Sequence, residues 1–532
     1  MLTDSAAAAK KADGQPNVEI DVAASDITLR GLTIQSVANT GGLSISPVTI
    51  SPLFASNPNT TSLSSIAVVG MNFDGTGPLS VFNQATGAQA MVSDVLVSRN
   101  RLSNAEVPFE DIIAGDLSQG GIRISNVKDA GMVSGVTIAE NLLLGETSVE
   151  FRDGRQAITT QAVITDNTFE SGGDEENLTL IPGSVCVNAD SGESVSEVQI
   201  RTNSFRRPPG SRFSSAPAVV VTPGSFDPDN TIMLDIVGNQ IENINDFTKA
   251  TIDLIGGMSN GENVVEATIA GNQIINTING IALRGGELES SDNLVLGDLF
   301  VNEIQVSPST GGIAFEQRGI SLEGGNRTAA NTVDTVIEGN LVSASVGDGV
   351  SIIGGTTRAS DLQNTEQGDA LENFVDGFIA DNTIQGSGIA VFGGLDNRLG
   401  EVSGNVAELE IVGNTADSFV CEDGLAGNTA ECIFSSNTSL SAPLGQQDFL
   451  KKTGQGQTGR RDRSIASVQR LTHYRAKVAR KEQRLRERAA KMWDQKDQKM
   501  RQRLIQLCDR LEALQDKLTA RMAKSPSVRR EE

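Results

Sequence analysis

Titratable side chains are distributed unevenly along this chain. It has one histidine, His473, one tyrosine, Tyr474, and one tryptophan, Trp493, and all three lie near its C-terminal end. Everything ahead of Gln447 therefore lacks the usual proton shuttle, and histidine-dependent acid/base catalysis is excluded there. It also lacks the flat indole and phenol faces on which sugar rings stack, which disfavours a long polysaccharide groove. Carboxylates and arginines remain. Two local groups stand out: Glu316, Arg318 and Glu323, and separately Glu150, Arg152, Asp153 and Arg155. Paired acids suffice for glycoside hydrolysis. With 67 Asp and Glu in 532 residues, however, neighbouring acids arise by chance, and solvated strand and turn charges explain either group better. We therefore assign no catalytic, cofactor-binding or metal-binding residue. The Gly-Asp-Gly at Gly347–Gly349 suggests turn-bound calcium, but no nonapeptide calcium repeat surrounds it, and ordinary turn chemistry accounts for it. No cofactor is expected, with calcium the one ion left open.

Of the four cysteines, Cys186, Cys421, Cys432 and Cys508, none forms a CxxC pair. With histidine nearly absent, a zinc site is not expected. Cys421 and Cys432 bracket a Gly-containing loop and are either a disulfide of an exported protein or two buried thiols. The net charge of −24 argues against nucleic-acid binding through overall charge. That sum hides a split. From Gln447 onward bases outnumber acids by more than two to one, whereas in the rest acids outnumber bases by roughly three to one. No apolar run reaches transmembrane length, and Met1–Pro16 has no secretory apolar region.

The elements that would position any site come from one repeated unit, clearest at Ala267–Gly286 (ATIAGNQIINTINGIALRGG). It reads as a short strand, a Gly-Asn corner, an apolar residue two later, a polar turn and a second alternating strand. The asparagine recurs at Asn100, Asn141, Asn167, Asn203, Asn239, Asn272, Asn340, Asn382 and Asn414, with steps of 41, 26, 36, 36, 33, 68, 42 and 32 residues. The 68-residue step leaves room for a weaker unit around Leu294–Ile304, and an irregular copy lies at Ile66–Phe73. The second strand is often introduced by glycine, as in GIAL at Gly280–Leu283, GISL at Gly319–Leu322 and GIAV at Gly388–Val391. Each unit is one turn of a coil whose inward aliphatics merge into a continuous core. Asparagine suits the corner because its side chain bonds local backbone and, stacked coil on coil, bonds its own kind. Insertions fall in turns, so the step varies. The outward residues of the unit, such as Ala282 and Arg284, and the variable turns are where an active surface would lie.

These strand–Asn–x–apolar and Gly-Ile-x-Leu units resemble the repeats of right-handed parallel β-helix, pectin-lyase-like proteins over roughly Val18 to Leu440. The resemblance implies an all-β solenoid, here of eleven or twelve coils. It is unspecific for activity, because the family spans polysaccharide lyases, glycosidases, epimerases, adhesins and tailspikes. The polygalacturonase branch carries a Gly-His-Gly motif that this chain lacks. The pectate-lyase branch uses an arginine base with acidic calcium ligands.

The expected organisation is a disordered segment 1–16, a β-helix over 17–442, a Gly/Gln-rich linker over 443–459, a basic helical tail over 460–524 and a disordered end over 525–532. No amphipathic helix caps the first coil, which suggests coding sequence upstream of Met1. The tail has no glycine or proline from Arg460 to Ser525, and Leu504, Leu507, Leu511, Leu514 and Leu518 follow coiled-coil spacing. Its basic run ahead of leucines is superficially like a DNA-binding zipper, but pairing with itself or with an acidic surface fits better. The leading functional expectation is a structural or adhesive protein, secreted or at the cell surface, with a polysaccharide or cell-surface glycan as partner and self-association through the tail. The rival is a carbohydrate-active enzyme, a polysaccharide lyase or glycoside hydrolase, using Asp, Glu and Arg on the β-helix face. What separates them is whether outward acids and arginines from several coils converge.

Overall fold

A strand that alternates apolar and polar residues buries one face, and strands joined by sharp corners can close those faces around a common core. The computed structural model describes residues 20–440, leaving out 36–47, 53–61, 75–77, 84–90, 104–120, 127–130, 146, 171–184, 190–192, 208–216, 224–228, 245–249, 258–262, 288–291, 308–316, 327, 329, 345–346, 357–368, 396–400 and 426. Among the described residues the chain forms three parallel sheets of 13 strands, and each coil contributes one strand to each sheet in turn. This is a parallel β-helix. At the usual strand spacing thirteen coils span about 58 Å. The segment 1–16, the linker 443–459, the helical tail 460–524 and the end 525–532 all lie outside the described residues.

Coil 9 shows why the sequence folds this way. Its strands are Asn279–Arg284, Leu294–Phe300 and Glu303–Val306. Ile281, Leu283, Val295, Leu299, Ile304 and Val306 point inward and are almost fully buried. The coils on either side place aliphatics in register with them: Ile252 and Ile320 flank Ile281, and Leu254 and Leu322 flank Leu283. Like thus stacks on like, and a single core runs through the coils.

The sharpest corner lies between the second and third sheets. In every coil one residue there takes a left-handed backbone, followed directly by the asparagine position. It is glycine in six coils, as at Gly271 (φ 61°) and Gly339 (φ 67°). The asparagines form an unbroken ladder from Asn100 to Asn437. Asn272 Nδ2 donates to Asn302 Oδ1 (3.0 Å) and to the Ile236 carbonyl (2.8 Å). Its own Oδ1 accepts from the backbone N–H (3.0 Å) and Nδ2 (2.9 Å) of Asn239. A buried amide that makes four such bonds is fully satisfied, so the polar stack sits inside the core without an orphaned group.

The coil count differs from the eleven or twelve expected. Asn302 fills the long step after Asn272, in the weaker unit expected at Leu294–Ile304, and Asn437 extends the ladder into one coil more. Coil 1 carries Leu32 and coil 2 Met71 at the asparagine position, so coil 2 reads only as the irregular copy at Ile66–Phe73 and coil 1 lacks the motif. Asn302 is disguised because Val301 holds its corner at φ 51°, a conformation a β-branched residue rarely adopts. Val301 is 68% exposed, so packing gives it nothing in return. Replacing it with glycine relieves the left-handed strain, partly offset by the greater freedom of unfolded glycine. The V301G chain should gain about 1 kcal/mol in equilibrium unfolding. A loss of stability would show that the corner is not strained.

A second ladder runs on the other side of the second sheet. It starts at Ser194, whose hydroxyl donates to Asn230 Oδ1 (2.7 Å), and continues through Asn263, Asn293, Asn331, Asn373 and Asn405 to Asn428. Each of these asparagines immediately precedes a second-sheet strand. Glycine pairs make room for them: a Cβ at Gly257 would lie 2.6 Å from Asn293 Oδ1.

The final coil contains a disulfide between Cys421 and Cys432, with Cα atoms 6.4 Å apart, which decides between the two alternatives the sequence left open. Cys186 is a buried thiol.

Candidate functional site

The three sheets differ on their outer faces. Strands of the second and third sheets alternate buried and partly exposed residues. First-sheet strands in coils 8 to 12 are mostly buried on both faces, with Ser321 and Phe392 partly exposed, and in Ile252–Ile255 all four residues are buried. The longer connections in the sequence fall on either side of this sheet, while the corner between the second and third sheets stays short.

Outward acids and an arginine from successive coils do converge on this face. Asp253 of coil 8 lies in register with Ala282 of coil 9, and Arg284 lies two residues beyond Ala282 on the same face. Diagonal neighbours of this kind are about 8 Å apart, within reach of an arginine. The small Ala282 side chain leaves space for Arg284 to fold back over it. Arg284 Nε donates to Asp253 Oδ1 (3.2 Å) and Nη2 to Asp253 Oδ2. Its Nη1 contacts Glu287 Oε1, three residues on and past a glycine pair. Asp253 is fully buried, and Arg284 and Glu287 are 8% and 7% exposed.

Coil 10 repeats the arrangement one level up. Glu323 lies in register with Arg284, and Asn326 forms a parallel bridge with Glu287. Both are buried. Apolar residues bound the island in the Arg284 column, with Ile255 in coil 8 and Ile353 in coil 11. The result is a buried polar island over coils 8 to 10, in which one guanidinium bridges two carboxylates and a third carboxylate lies alongside.

The two groups read from the sequence are rearranged. Arg318 and Glu323 lie at opposite ends of strand Arg318–Glu323, about 16 Å apart at the usual rise per residue. Arg318 is in register with Asn279 and Asp348, and Glu323 with Arg284. Glu316 lies outside the described residues. In the other group Glu150 and Arg152 do meet (2.5 Å), and Arg123 of the preceding coil joins them (2.8 Å). Asp153 does not take part. It turns into the corner, where it accepts hydrogen bonds from the Thr159 hydroxyl (2.6 Å) and the Ser196 hydroxyl. Arg155 sits exposed in the following turn. At Gly347–Gly349 the Asp348 N–H donates to the Gln317 carbonyl of the preceding coil (3.1 Å), a backbone bond between coils. Among the described residues no three His, Cys, Asp or Glu side chains are grouped to hold a metal ion.

Two further ion pairs are surface contacts. Arg99 and Glu140 meet at 2.7 Å on adjacent corners, and Arg201 meets Asp235 at 2.9 Å. The Arg99 hydrogen bond and charge hold Glu140 below the usual carboxylate range. Such exposed pairs contribute little to stability.

Sequence reading placed Arg284 on the outer face but missed its partners. Asp253 is 31 residues away, and its contact depends on the register of two coils. The recoverable signal is the repeat Arg-Gly-Gly-Glu at 284–287, Glu-Gly-Gly-Asn at 323–326 and Ile-Gly-Gly-Thr at 353–356, which aligns the coils residue by residue. Comparison with protein-family models, with curated proteins and with solved structures finds no match to this chain in any of the three.

Proposed function

We propose that this chain is a structural or adhesive β-helix of the right-handed, pectin-lyase-like kind, exported or surface-associated, with its basic tail anchoring or oligomerising it. One observation carries the reading. The charges that converge on the first sheet close on one another, with Arg284 bridging Asp253 and Glu287 in a buried setting. A guanidinium that binds two carboxylates holds them as anions and occupies the lone pairs that a general acid or base would use. The lack of histidine, tyrosine and tryptophan ahead of Gln447 supports the same reading, and the Cys421–Cys432 disulfide suits an oxidising compartment. The partner is a polysaccharide or cell-surface glycan held by outward residues and turns. Nucleic acid is not a partner of the acidic β-helix.

A second reading has one specific observation in its favour: Asp253, Arg284, Glu287 and Glu323 come from three successive coils and share one face. That is the convergence a carbohydrate-active enzyme using carboxylates and arginine would need. A glycan-binding screen with the full chain, combined with light scattering, tests the leading reading. It predicts saturable binding to at least one glycan class without product release, and a mass above that of the monomer. No glycan binding together with a monomeric mass would sink it.

A further inference from the structure

The C-terminal coil is built differently from those beneath it. In coil 12 the inward residues Ile389, Val391, Leu409 and Ile411 are almost completely buried. Coil 13 places Phe419, Cys421, Cys432 and Phe434 in register with those four residues. The disulfide therefore crosses the interior at core positions, and Phe419 and Phe434 pack edge to face beside it with centroids 6.1 Å apart. Together they close the core at this end. The rest of the coil is weakly held. No residue in strand Phe419–Gly424 or strand Thr429–Ser435 is fully buried, and Ile433 is 67% exposed. Among the described residues both asparagine ladders end in this coil. The Asn405 N–H donates to Asn428 Oδ1 (3.1 Å), and the Asn414 N–H donates to Asn437 Oδ1 (2.8 Å).

We propose that the Cys421–Cys432 disulfide is a redox clasp that holds the last coil over the core, and that its reduction opens coil 13 while the coils beneath stay folded. The reductant is a dithiol. One of its thiolates attacks a sulfur of the pair to give a mixed disulfide, and its second thiol displaces the remaining cysteine. Two electrons and two protons pass to Cys421 and Cys432, and the dithiol leaves as a disulfide. Both cysteines are only partly buried and lie at the end of the described coils, so the attacking thiolate has access. The bridge spans 11 residues of sequence. Closing a loop of that size shifts the local opening equilibrium on the order of 100-fold. Once coil 13 opens, the edges of strands Ile389–Gly394 and Val406–Val412 are left without a neighbour.

Hydrogen exchange of the full chain before and after treatment with dithiothreitol tests this. Protection of the Asn405 and Asn414 amides should fall on the order of 100-fold on reduction, while the Asn239 amide, which donates to Asn272 Oδ1, keeps its protection. The C421S/C432S double variant should show the opened pattern without reductant and no further response to it. Unchanged protection of Asn405 and Asn414 on reduction overturns the proposal. So does parallel loss at Asn239, which would make the bridge a staple of the whole β-helix. If the double variant does not fold, the reduction of the wild-type chain decides alone.

Discussion

Replacing Arg284 with alanine should destabilise the β-helix by about 3–5 kcal/mol. The arginine is the counter-ion of a fully buried carboxylate, Asp253, and of the nearly buried Glu287. Its removal leaves two desolvated anions facing each other across a cavity. The cost follows from the orphaned charges and not from the net worth of the ion pairs, which desolvation largely cancels. Replacing the whole island together, as D253L/R284M/E287L/E323L, should therefore be close to neutral or stabilising by about 1–4 kcal/mol. Equilibrium unfolding of the two variants beside the wild-type chain separates these effects. A single R284A variant within about 1 kcal/mol of wild type would mean that solvent reaches Asp253 and that the island is not closed.

The second large effect is expected from the asparagine ladder. In an N272A chain the Asn239 N–H, the Asn239 Nδ2 and the Ile236 carbonyl each lose a partner that nothing nearby replaces. At about 1–3 kcal/mol for each buried group left unpaired, the loss comes to roughly 5 kcal/mol, near the top of the range for single substitutions. Neighbouring Gln273 bonds Glu303 on the exposed side of the same corner, so Q273A should cost less than about 0.5 kcal/mol. Urea unfolding of the pair measures the contrast directly. Similar small losses in both would show that water takes over the ladder's bonds.

The repeating unit was legible because its physics is local. A strand, a left-handed corner and a buried amide fall within about eight residues, and nine of the ladder's asparagines were readable on that basis. The coil of Asn302 showed only as a weaker unit because Val301 is an ill-suited corner residue, and Asn437 was masked by the unusual residues of its coil. The second ladder escaped notice although it left a regular trace. Each of Asn230, Asn263, Asn293, Asn331, Asn373, Asn405 and Asn428 precedes its first-ladder partner by nine residues, the length of a second-sheet strand and its corner. Variable connections before these asparagines obscured the pattern.

The charged island was less legible for a different reason. Nearness in sequence suggested that Arg318 and Glu323 belong together, yet an extended strand carries them apart. The contacts that matter run across coils, between Asp253 and Arg284, and are set by register and by the small Ala282 side chain between them. Without aligned coils, Asp253 is one acid among many.

On the proposed reading, this island serves the fold and not catalysis. Incubating the full wild-type chain with acidic polysaccharides and following release of reducing ends or unsaturated products tests it most directly. No product should rise above a protein-free blank. Product formed by the wild-type chain and lost in a folded D253N variant would contradict it and place a carbohydrate-active site on coils 8 to 10.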